Sequence, residues 1–173
     1  MRVQRFLGAR VAAMVAAVAI LSIAESSQAT EVTYLLNMNG AQEVPGPGDS
    51  DGLATGFITL NDVSGLINWF ITYSAIAAPS AMHIHGPNAP PGSSAGVFIG
   101  LNLTGSPGVL NGSLTAAPAS VAQVIGSPTG FYVNIHNSDF PGGAIRGQLG
   151  TLPAPAALSL LALGGLAQRR RRR

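Results

Sequence analysis

Between residues 32 and 149, apolar side chains recur at every second position in short runs separated by Gly, Pro, Asn, Asp and Ser. Alternation with a period of two sends successive side chains to opposite faces of an extended chain, so each run buries one face and turns the other outward. Repeated along one stretch of chain, the pattern predicts a meander of short antiparallel strands. The predicted strands are 32–38, 55–60, 66–73, 81–85, 96–101, 108–115, 131–136 and 144–149. Asn61-Asp62-Val63-Ser64-Gly65 joins two of them as a hairpin, and Asn137 to Gly143 closes a last one. Pro118 opens a stretch without turn residues, 118–125, which predicts one short helix with proline in its first turn. The expected fold is an all-β, antiparallel β-sandwich with one short helix.

The chain contains no cysteine, so such a sandwich must be held by burial and hydrogen bonds alone. Its arginines are concentrated at the two ends, and there is no lysine. Residues 30–152 carry one arginine, Arg146, against Glu31, Glu43, Asp49, Asp51, Asp62 and Asp139, a net charge of −5. Phosphate backbones are bound by several cations at once, and this composition excludes nucleic acid as a partner.

The ends read as addresses flanking one domain. Residues 1–29 have three arginines, an apolar run over 11–23 and a small-x-small site at Ser27-Gln28-Ala29, which predicts a signal peptide cleaved after Ala29. The domain proper is expected over 30–152. Residues 153–173 begin Pro153-Ala154-Pro155, continue as an apolar stretch over 156–167 and end in five arginines. At about 1.5 Å per residue that stretch spans about 18 Å, short of the ~30 Å hydrocarbon layer, which fits transient membrane contact rather than a permanent span. This segment resembles a PEP-CTERM sorting tail, with Ala154 where that motif carries glutamate. The resemblance implies a processing protease and a surface destination, so the product is expected to be exported to the cell surface, periplasm or extracellular space.

Alternation also assigns faces. Phe131, Val133, Ile135, Ile145 and Leu149 share one parity and are expected in the core; Tyr132, Asn134, His136, Arg146 and Gln148 share the other. Met82 and Ile84 point inward, leaving His83 and His85 together on the outer side. If the two strands are near neighbours, all three histidines of the chain meet on one face. Imidazoles arranged in this way suit copper or zinc, while the alternative is that they hydrogen-bond and organise the 86–94 and 137–143 loops. Asp139 is placed to pair with Arg146. Of Trp69 and Phe70, adjacent on a strand, only one can face the core, and the other is a candidate contact residue.

Four segments carry a wider likeness: Gly40-Ala41-Gln42-Glu43-Val44-Pro45, Met82-His83-Ile84-His85-Gly86-Pro87, Gly130 to Asn137, and Phe140-Pro141-Gly142-Gly143-Ala144-Ile145-Arg146-Gly147-Gln148-Leu149. In order and spacing they resemble the CHRD domain, first recognised in chordin, over about residues 32–150. The resemblance implies a β-sandwich module of extracellular proteins. A looser one, to Cu/Zn superoxide dismutase, rests on His83, His85, His136 and Arg146. It implies the three histidines as copper ligands and Arg146 as a guide for an anionic substrate. The chain lacks the fourth histidine, the zinc-binding His and Asp cluster and the cysteine pair of that family. Together the two likenesses imply an immunoglobulin-like or superoxide-dismutase-like Greek key.

No catalytic set stands out. The chain has no Gly-x-Ser-x-Gly elbow, no cysteine nucleophile and no lysine. The working expectation is a non-enzymatic surface or matrix module that binds a protein or polysaccharide. The alternative is a copper-binding, dismutase-like domain using His83, His85 and His136.

Overall fold

The structure is a computed structural model that describes residues 28–150. The predicted sorting segment over 153–173 and nearly all of the predicted signal peptide lie outside the described residues. The elements in chain order are β1 (Glu31–Asn39), β2 (Leu53–Asn61), β3 (Leu66–Ser74), β4 (Pro79–His85), β5 (Val97–Leu101), β6 (Gly105–Ser106), β7 (Val109–Thr115), α1 (Pro118–Gly126), β8 (Tyr132–Asn137) and β9 (Ile145–Gln148). All eight expected strands and the helix are present. The short edge strand β6 is an addition.

The strands form one antiparallel sheet of nine in the order β5-β4-β8-β9-β1-β2-β3-β7-β6. It has two halves, β5-β4-β8-β9 and β1-β2-β3-β7-β6, joined by β9 against β1 at the single pair Asn39 and Arg146. Leu36, Met38, Ile58, Ile67, Trp69 and Ile71 from one half share a buried cluster with Met82, Ile84, Ile99, Val133, Ile135 and Ile145 from the other. The sheet therefore curls so that its inner surface closes on one core. The two layers expected of a sandwich are halves of one hydrogen-bonded sheet.

Local chemistry sets the corners. In the β2–β3 hairpin the Asn61 side-chain oxygen accepts from the backbone N–H groups of Val63 and Ser64, and Gly65 takes φ +72°. The asparagine thereby satisfies the turn's donors, and glycine adopts the left-handed conformation without steric cost. In α1, Pro118 occupies the first turn, where its missing N–H costs no helical bond, and Val121 and Val124 are the residues it buries. At the junction of the halves a Cβ on Gly147 would lie 2.7 Å from Met38 Cγ and 3.0 Å from the Asn37 carbonyl oxygen. Only a residue without a side chain lets β9 come this close to β1.

Parity correctly identified the inner face. Phe131, Val133, Ile135, Ile145 and Leu149 are fully buried, and Trp69 turns inward while Phe70 stays 43% exposed. The opposite parity of β8 and β9 does not meet water as a strand's outer face ordinarily would: Tyr132, Asn134, Arg146 and Gln148 are all buried. Two loops roof this side. One runs from β1 to β2 and is tied down by the Asp49 N–H donating to the Ala144 carbonyl at 2.8 Å; the other, between β4 and β5, bonds to Arg146 and Gln148.

Candidate metal centre

β4 lies beside β8 with His83 opposite Asn134 and Ala81 opposite His136. This register sets His83 and His136 diagonally on neighbouring strands, with His85 two residues along from His83. Their rings meet, with centroids 4.9 Å apart for His83 and His136, 5.5 Å for His83 and His85, and 6.1 Å for His85 and His136. One nitrogen from each of the three lies within 4.8 Å of the others.

The hydrogen bonds determine which nitrogens are available. His85 Nδ1 sits 2.9 Å from the Ala95 carbonyl oxygen and His136 Nδ1 3.0 Å from that of Pro141. A carbonyl only accepts, so both Nδ1 atoms carry the proton and both Nε2 atoms present a lone pair. His83 Nδ1 then donates to His136 Nε2 at 3.1 Å. His85 Nε2 is buried without any hydrogen-bond partner. An imidazole whose outer nitrogen is held by a backbone carbonyl while the inner one is unsatisfied has the arrangement of a ligating histidine with its supporting bond. Metal–nitrogen bonds of about 2.0–2.1 Å at tetrahedral angles put ligand nitrogens about 3.3 Å apart, so the His83–His136 pair is near that spacing, and a cation there would replace the shared proton, which would move to His83 Nε2.

Burial, and then the charge of neighbouring imidazoles, pushes the pKa of His83 below its ordinary value. Burial likewise lowers that of His136, against an opposing pull from the Pro141 carbonyl. The proton is thus disfavoured where a cation would need the lone pair. The loop-organising reading of the histidines is seen directly, since the rings of His85 and His136 that converge with His83 bond outward to the β4–β5 and β8–β9 loops.

Arg146 does not join the cluster. It is 1% exposed; its Nη1 donates to the Ser93 carbonyl at 2.6 Å, and its Nη2 donates to Gln148 Oε1 at 2.9 Å. Its guanidinium lies 3.4 Å from the centroid of the Tyr132 ring. With Gln148 it floors a cleft whose walls are Ala41, Gln42 and Val44 on one side and Pro91 and Gly92 on the other. The ion pair expected with Asp139 is not formed. The Asp139 carboxylate instead accepts from the Ser138 hydroxyl at 3.3 Å, in a turn capped by Asn137 Oδ1, which accepts from the Asp139 N–H at 3.0 Å, while Arg146 is drawn under the β4–β5 loop by carbonyls.

Glu43 was not singled out from the sequence. It is 6% exposed, and burial raises its pKa to about 7 despite the opposing influence of Arg146, the Asn134 side chain and the Val44 N–H. A signal existed: an acid within an otherwise uncharged segment, in a domain with one cation to face it.

These features define a class, a cysteine-free antiparallel β domain that roofs one polar face with loops and gathers three histidines beside it. The chain belongs to the CHRD domain family, whose model matches residues 34–149. CHRD domains are typically extracellular, and membership supports an extracellular module. No curated protein and no solved structure matches it.

Proposed function

We propose that the chain is an extracellular, non-enzymatic binding module in which His83, His85 and His136 hold one transition-metal ion, copper or zinc. The observation that carries this reading is His85 Nε2, a buried lone pair with no partner, facing two further imidazoles. Leaving a buried polar atom unsatisfied is costly, and a cation shared by the three rings removes that cost. The ion would supply a cross-link between β4 and β8 and, through the Ala95 and Pro141 carbonyls, would stiffen the two loops beside them. The module works at the cell surface, in the periplasm or in the surrounding matrix, and its macromolecular partner is a surface protein or polysaccharide.

Elemental analysis of the purified full-length chain, beside the His83→Ala, His85→Ala, His136→Ala triple variant, tests the metal. About one copper or zinc per chain, absent from the variant, is expected. No metal in either protein after supplementation with both ions would overturn the reading.

A further inference from the structure

The outer surface of the other half of the sheet carries a second kind of site. β1, β2, β3 and β7 together contain one charged residue, Glu31, at the very start of β1. The acids of the domain lie in turns, loops and that one edge. At about 3.4 Å per residue and 4.8 Å per strand, the face measures about 30 Å by 15 Å.

Its chemistry is arranged in rows. Phe57 and Phe70 are direct cross-strand partners, 40% and 43% exposed, with ring centroids 6.1 Å apart and planes 22° from parallel. Leu35 and Asn111 extend this row onto β1 and β7. One row away, Thr33, Thr59, Asn68 and Ser113 stand in register, with the two threonine hydroxyls 2.8 Å apart. On the other side lie Asn37, Thr55 and Thr72, with 3.4 Å between the hydroxyls of the last two. Beyond the rows, Leu53 is 54% exposed at one end of the face and Leu66 36% at the other. Large apolar side chains left outside on a sheet face with a single charge at its margin mark an interaction surface.

We propose that this face binds a neutral polysaccharide. Charge complementarity selects the class: nucleic acid, anionic lipid and charged peptides find no counter-charge on β2, β3 or β7. A glycan chain offers what the rows match. The C–H faces of its sugar rings pack against the exposed, nearly parallel rings of Phe57 and Phe70, and its hydroxyls reach the Thr, Asn and Ser side chains to either side. The site is separate from the histidines, which lie on the other half of the sheet.

The test is retention of the full-length chain by cellulose, chitin and mannan, with anionic alginate as the control. Retention by at least one neutral polysaccharide and not by alginate is expected, and it should persist in about 0.5 M NaCl, where charge attraction is screened within a few ångström. Phe57→Ala and Phe70→Ala should each weaken it roughly tenfold without lowering Tm, since both side chains are exposed, and Gly100→Ala, on the other half of the sheet where an added Cβ meets nothing within 4 Å, should leave it unchanged. Absence of retention by all three, or equal retention of the phenylalanine variants, overturns the proposal. So does a concentration-dependent dimer that Phe70→Ala abolishes in a chain that no glycan retains, which would make the face a contact between copies.

Discussion

The ring of His85 stacks on the ring of Tyr132, with 4.9 Å between centroids and 5° between planes. β4 and β9 flank β8, so His85 approaches the tyrosine from one side while Arg146 covers it from the other. Tyr132 is thus the spacer that holds a cation away from the histidine cluster. Tyr132→Ala, which removes the spacer and leaves a cavity, is expected to cost about 3–5 kcal/mol in urea unfolding. Tyr132→Phe keeps the ring and gives up only the long contacts at Ala95, so it should cost under about 1 kcal/mol.

Arg146 is a clamp for the β4–β5 loop. Arg146→Met fills similar space but leaves the Ser93 carbonyl and the Gln148 side-chain oxygen without their charged donor. A loss of about 3 kcal/mol is expected. Hydrogen exchange should show the increase in opening concentrated over residues 86–96.

Glu43 gives the stability a pH dependence of known sign. Its pKa is about 7 in the folded chain against an ordinary 4.5. Between those values the unfolded chain releases a proton that the folded chain keeps, so its contribution is fully present below about pH 4.5 and is lost as pH rises through about 7. Unfolding free energies of wild type and Glu43→Gln measured at intervals across this window should diverge, with wild type falling relative to the variant as pH rises. Parallel curves would show that Glu43 titrates normally.

Metal binding should appear as thermal stability. With free copper or zinc at about a hundredfold the dissociation constant, the folded state gains about 2.7 kcal/mol, a rise in Tm of roughly 10 °C for a domain of this size. Each single substitution among His83→Ala, His85→Ala and His136→Ala should remove most of that rise in differential scanning calorimetry.

The junction of the two halves depends on Gly147. Gly147→Ala forces a methyl against Met38 and the Asn37 carbonyl and should cost about 2–3 kcal/mol. Gly100→Ala, where an added Cβ meets nothing within 4 Å, is the control and should change stability by less than about 0.5 kcal/mol in the same denaturation experiment.

The sequence by itself determined the direction of each side chain relative to its own strand. Alternation is a property of the extended backbone, so Ile135 was legible as core, Trp69 and Phe70 as opposed, and His83 and His85 as companions, before any strand had a neighbour. Tertiary structure decided the strand order and what covers each face. Nothing local in residues 81–85 or 131–136 states that they lie side by side, yet that adjacency alone brings His136 to His83. Nor does alternation record that two loops fold across β8 and β9, turning Tyr132, Asn134, Arg146 and Gln148 from an outer face into a buried polar layer. The direction in which Arg146 points is written in its parity; the carbonyls it meets belong to residues more than fifty positions away, and only the folded chain brings them there.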